Sequence, residues 1–210
     1  MPSLPSSASA SLEHSQQTLD AYLWASAARG DMLGIDDAIE LGANPKARTG
    51  SGLTSALMRA SGNGHLAAAL RLMPLSNLDA LCDSGKSAVH RAVAGAHADC
   101  LLALADAGAN VNLCSKRSEA PIVNAMRLGA LSLRKESNPD SRSRCVDILM
   151  EIADLNAKDL AGNNLSTIAK QHDLHDFARL IKARAAAQSE SALIGKIVAK
   201  SASKPKSLAL

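Results

Sequence analysis

DSGKSAVHRAVAGAHADCLLALADAGANVN, residues 83–112, reads as a turn, a short helix, a second turn, a longer helix and a loop. Ser87 suits a helix start, because its hydroxyl can accept a backbone N–H that the first turn leaves without a partner. Val89, Ala92 and Val93 follow at i, i+3, i+4 spacing and give the first helix one apolar face. Leu101, Leu102, Leu104 and Ala105 do the same for the second. Gly108 then supplies the left-handed residue that ends a helix. Two helices this short cannot bury their apolar faces alone, so the stretch predicts neighbours of the same kind.

The neighbours are present. Ala27, Ala60, Ala92, Ala125 and Ala169 each follow a short apolar run, at spacings of 33, 32, 33 and 44 residues. The residues closing each repeat, Lys46, Asp79, Asn112 and Asn156, are spaced by 33, 33 and 44. Two independent landmarks thus agree on a period near 33 and on 11 extra residues in the last step. The insertion falls between the two helices of the fourth repeat, at LSLRKESNPDSRSR, residues 131–144. It is read as a polar loop, since loops accept added residues at small entropic cost. An extension of the preceding helix is the alternative.

Composition agrees with packed helices. The chain is 47% hydrophobic but only 1% aromatic, so Ala and Leu do most of the burying, and a sheet core would draw more on β-branched and aromatic residues. Cys82, Cys100, Cys114 and Cys145 form no CxxC pair, which argues against a zinc ribbon or a redox motif and for reduced thiols. No apolar run approaches the roughly 20 residues of a membrane span. The N-terminus lacks the basic start and apolar core of a cleaved signal peptide.

These repeats resemble the ankyrin repeat. The family's helix start, turn and loop are matched by Ser87-Ala88-Val89-His90, by Gly64-His65 and Ala96-His97, and by Gly108-Ala109-Asn110-Val111-Asn112 with Gly42-Ala43-Asn44. Residues 156–181 look like a typical last repeat. The first repeat lacks a recognisable helix-start motif, as an N-terminal cap would. The second has an extra residue near Thr54-Ser55, and Leu75-Ser76-Asn77-Leu78-Asp79 replaces its Gly-Ala-Asn loop after Pro74 stops the helix. The fourth opens on Ala120-Pro121-Ile122-Val123, with proline at the helix start and no histidine. The resemblance implies an all-α ankyrin-repeat solenoid of about five helix-turn-helix units with short hairpin loops over residues 20–184. Residues 1–19, rich in Ser and Ala, read as a disordered leader. Within 185–210, Leu193, Ile194, Ile197 and Val198 predict a short amphipathic helix ahead of a basic disordered tail.

The resemblance also implies a function: binding a protein partner through the concave face made by hairpin tips and first helices. The tips fall near Arg48-Thr49, Cys82-Asp83-Ser84, Lys116-Arg117 and Lys158-Asp159. The first helices offer Arg59, Asn63, Arg91, Asn124 and Arg127. Arg48, Arg59, Asn63, Arg91, Lys116, Arg117 and Arg127 are therefore the expected binding residues, and Gly62, Ala94 and Gly95 are small enough to admit a partner closely. Arginine takes carboxylates bidentately, so the expected partner carries an acidic segment.

Chemistry is harder to find. His172 and His175 are three apart beside Asp173 and Asp176, but a metal site needs about four converging ligands, and a polar outer face explains them better. Gly50-Ser51-Gly52 and Gly62-Asn63-Gly64 lack the strand, Lys and Ser/Thr context of a phosphate loop. No catalytic motif stands in a convincing context, so no enzyme, small-molecule substrate or cofactor is expected. Lys182, Arg184, Lys196, Lys200, Lys204 and Lys206 against Glu190 could touch nucleic acid, but aromatics for base stacking are nearly absent. A cytoplasmic adaptor is the expectation. The alternative is a bacterial effector delivered into a host cell, motivated by the acid-poor Ser/Ala leader.

Overall fold

The computed structural model describes residues 6–50, 52–116, 120–132, 139–155, 162–171 and 175–202. Among these the regular structure is almost wholly helical. In chain order it comprises α1 (Ser6–Arg29), α2 (Met32–Glu40), β1 (Arg48–Thr49), β2 (Thr54–Ser55), α3 (Ala56–Gly62), α4 (Leu66–Leu72), a 3-10 turn (Met73–Leu75), α5 (Ala88–Gly95), α6 (Ala98–Asp106), α7 (Pro121–Ser132), α8 (Pro139–Ile152), α9 (Leu165–Gln171) and α10 (His175–Ala202). β1 and β2 pair antiparallel, Arg48 opposite Ser55 and Thr49 opposite Thr54. The chain forms two compact bodies, residues 1–153 and 154–210. No helix among the described residues is long and apolar enough to cross a membrane.

In the first body the helices come in pairs, and first helices pack on first helices: α1 on α3, α3 on α5, α5 on α7. The landmark alanines explain how such short helices approach. Ala27, Ala60 and Ala92 are fully buried, and the carbonyls of Ala60 and Ala92 accept the N–H groups of His65 and His97 in the turns that follow. Leu57, Val89 and Ile122 fill the core from the first helices, with Ile35, Leu72, Leu101, Leu104 and Leu149 from the second. Each such aliphatic side chain contributes about 1.5–3 kcal/mol on burial.

The helix ends follow from local chemistry. Ser55 accepts the Met58 N–H at 3.2 Å, and Ser87 and His90 cap α5 reciprocally. α2 and α6 end alike: Gly42 and Gly108 take positive φ, and the N–H groups of Ala43 and Ala109 return to the carbonyls of Ala38 and Leu104. Pro74 stops α4, whose chain leaves through the 3-10 turn. The replaced loop nevertheless keeps the device of its neighbours. Asn44, Asn77 and Asn110, 33 residues apart, each accept the N–H two residues on, at 3.0, 3.1 and 2.9 Å. The extra residue near Thr54 is taken up by the β1–β2 connection, where Leu53 is left-handed at φ 46°.

Two expectations are corrected. Residues 6–19 of the leader read as disordered belong to α1, which is continuous to Arg29. Its alanines and Leu12 are good helix formers, and Gln16 donates to the Gly42 carbonyl at 3.1 Å, so the helix has a reason to extend beyond its buried part. The insertion is not simply a polar loop. α7 has 12 residues against 8 in α5, and α8 has 14 against 9 in α6, so helix is added on both sides. Residues 133–138 of the insertion lie outside the described residues.

The second body pairs α9 with α10. Asn164 caps α9 by accepting the Thr167 N–H at 2.8 Å, and Ile168, Ala169, Ala178 and Ile181 are buried. The short helix expected within 185–200 is the later part of α10, a single helix of 28 residues. The tail beyond Ala202 lies outside the described residues.

Candidate functional site

The face built by β1–β2, α3, the turn at 82–87 and α5 carries most of the residues expected to bind. Residues 46–63, 80–95 and 113–116 contain Lys46, Arg48, Arg59, Lys86, Arg91 and Lys116 against the one carboxylate of Asp83. Arg59 and Arg91 occupy equivalent places, each one residue before a landmark alanine.

Arg59 is held over the Trp24 ring, 4.6 Å from its centroid. Trp24 itself is fixed by its Nε1–H, which donates to Thr54 Oγ1 at 2.8 Å. The cation therefore rests on a π face, an attraction of about 0.5–2 kcal/mol that orients it without neutralising it. Arg91 donates to the Cys82 sulfur at 3.6 Å. The Nε atoms of both arginines are buried and without a hydrogen-bond partner. Neither guanidinium meets a carboxylate among the described residues.

Cys82 is buried beneath this face, with its sulfur 3.1 Å from Ser84 Oγ. Burial pushes the thiol up, but hydrogen bonds from the Ser84 side chain, the Lys86 and Ser84 backbone and Arg91 outweigh it and bring the pKa down to about 7. Cys100 and Cys145 are buried residues of α6 and α8, where burial raises both thiols, Cys145 to about 11.

Other expected residues are engaged inside the molecule. Asn63 donates to the Ala28 carbonyl at 2.7 Å, and Arg48 to the Leu81 carbonyl at 2.7 Å. Both tie one repeat to the next. Asn124 is buried in the packing of α7 and offers nothing to an open face. Gly62 and Gly95 are small for an internal reason. A Cβ at Gly62 would lie 3.2 Å from the Arg91 Cβ, and one at Gly95 would meet the His97 ring at 2.4 Å. Lys116 is exposed, with its N–H on the Ser84 carbonyl at 3.2 Å. Arg127 lies in α7. Arg117, Lys158, Asp159 and His172 lie outside the described residues. His175 is exposed on α10, and no metal-holding group of three His, Cys, Asp or Glu occurs among the described residues.

The turns on the other side are tied by histidine. His65 Nε2 lies 3.1 Å from the Ala28 carbonyl oxygen. Burial, ahead of a raising hydrogen bond to the Gly62 backbone and a lowering effect of His65, depresses the pKa of His97. Sequence reading missed Trp24 and Lys86 as parts of the first-helix face. The signal for Trp24 was its being the sole tryptophan, on the helix that precedes Arg59 in the stack. No protein-family model matches the sequence, and no curated protein is similar enough to match it.

Proposed function

We propose that this chain is an ankyrin-repeat solenoid of about five repeats that binds another protein through its first helices and hairpin turns, without catalysis or a cofactor. The observation that carries this reading is recurrence in the hydrogen bonds themselves. Asn44, Asn77 and Asn110 close the same turn at a 33-residue interval, a regularity the side chains around them do not force. The repeats are latched to each other through backbone groups, which gives a stiff surface with little entropy to lose on binding. The first-helix face is also where Arg59 and Arg91 stand without a carboxylate partner among the described residues. Four free cysteines suit a reducing compartment, so the cytoplasm is the proposed location.

Affinity capture with the full chain, followed by hydrogen–deuterium exchange on the complex, tests the proposal. Slowed exchange within residues 54–63 and 86–95 is the expected result. Slowed exchange confined to α4 and α6, or no specific partner, would overturn it.

A further inference from the structure

Resting on that reading, we infer that the partner segment is an extended acidic peptide presenting carboxylates three residues apart to Arg59 and Arg91. The first argument is charge. Six cations meet one carboxylate across residues 46–63, 80–95 and 113–116. Among the described residues the two central cations receive only a ring face and a sulfur atom. A guanidinium has five N–H donors in a fixed fork suited to a carboxylate, so each has capacity left.

Contrast supplies the second argument. Elsewhere in the same body arginines are given acids: Arg71 meets Asp36 at 2.8 Å and Arg144 meets Asp99 at 3.2 Å. The fold thus pairs arginine with acid on the second helices, whereas among the described residues Arg59 and Arg91 on the first helices are given none.

Spacing is the third. Arg59 and Arg91 are repeat-equivalent residues on the packed helices α3 and α5, so they are separated by about one interhelical distance, ~8–10 Å. A polyproline II segment advances about 3.1 Å per residue with three residues per turn, which puts residues i and i+3 on one face about 9 Å apart. A Glu-x-x-Glu segment in that conformation matches the pair. Nucleic acid fits less well, because the Trp24 ring is covered by Arg59 and Tyr22 lies with Asp37 and Glu40 of α2, away from a stacking role.

The test uses the full-length wild-type chain labelled with ¹⁵N and follows the arginine Nε–H signals. The probes are acetyl-Glu-Pro-Pro-Glu-Pro-Pro-amide, its Gln counterpart and a single-stranded oligothymidylate of eight nucleotides. Saturable shifts at Arg59 and Arg91 with the Glu peptide alone, and none at Arg71 and Arg144, are expected. Equal shifts at all four arginines, equal binding of the Gln peptide, or stronger binding of the oligonucleotide would overturn the inference. A captured partner separates this inference from the proposed function. With R59M/R91M its affinity should fall at least about 30-fold. A partner that protects α3 and α5 from exchange yet binds this variant unchanged would leave protein binding standing and remove the acidic peptide.

Discussion

Arg59 and Arg91, on the first helices α3 and α5, meet a ring face and a thiol, whereas Arg71 and Arg144, on the second helices α4 and α8, meet Asp36 and Asp99. The second-helix pairs are exposed, and such pairs contribute at most about 1 kcal/mol. They keep charges neutralised and hold side chains in place. The first-helix arginines do something stability does not ask for. Their Nε atoms are buried without acceptors, an arrangement that costs free energy in the isolated protein. The difference separates second-helix arginines to which the fold gives an acid from first-helix arginines to which it gives none among the described residues.

The sharpest way to break that contrast is to reverse the first-helix charges. With a captured partner, R59E/R91E should lower affinity about 100-fold or more, about 3 kcal/mol, by calorimetry, with the helical circular dichroism retained. Unchanged affinity would make the two pairs of arginines equivalent. On the turn side, Gly64→Ala should act on stability alone. Its φ is +78°, and the added Cβ would lie 2.4 Å from His97 Nδ1, so urea unfolding should show a loss of roughly 2–3 kcal/mol.

The opposite substitution sharpens the point. Ala96 is left-handed at φ 61°, in the place held by Gly30 and Gly64 in the preceding repeats. Ala96→Gly should raise stability by about 1 kcal/mol, because the αL conformation costs about 1–2 kcal/mol with a Cβ and glycine returns part of that as unfolded-state entropy. Acidification should weaken the same side. The folded pKa of His97 lies below its ordinary value of 6.5, chiefly through burial. The unfolded chain therefore binds the proton first, and stability is complete above about 6.5 and falls as pH drops below it. A thermal-melting series from pH 7.5 to 5, compared with His97→Gln, checks this; a slope unaltered in the variant would assign the loss to other groups. The smallest effects belong to Arg71→Ala and Arg144→Ala, about 0.5 kcal/mol or less each, with partner affinity unchanged.

Much of this was readable from the chain because it depends on local chemistry. The alanine landmarks announced close helix approach, Gly108 and Gly42 announced helix ends, and Pro121 announced the start of α7. Contacts that depend on the neighbouring repeat were not legible in the sequence. Asn63 was expected in the binding face, and its bond to the Ala28 carbonyl of the preceding repeat was not foreseen. Gly62 and Gly95 looked like room for a partner, but the room is taken by Arg91 and His97. Asn77 was hidden for the opposite reason: with the glycine gone and Pro74 before it, the sequence around it changed while its turn did not. The insertion carried polar residues with adequate helix propensity, and composition alone did not distinguish added turns from a loop.

One group of latches between repeats shares a property. Asn63 and His65 end on the Ala28 oxygen, Arg48 on that of Leu81, Asp83 on that of Gly52, Lys116 on that of Ser84, and Ser76 on that of Pro45. Every acceptor in this group is a main-chain oxygen, which every amino acid supplies, whereas the carboxylates of Asp79, Asp36 and Asp99 serve other contacts between repeats. A repeat copied or deleted as a whole would find the same acceptors waiting at its new border. A border held by this group can therefore be copied or removed with its repeat without inventing a new junction.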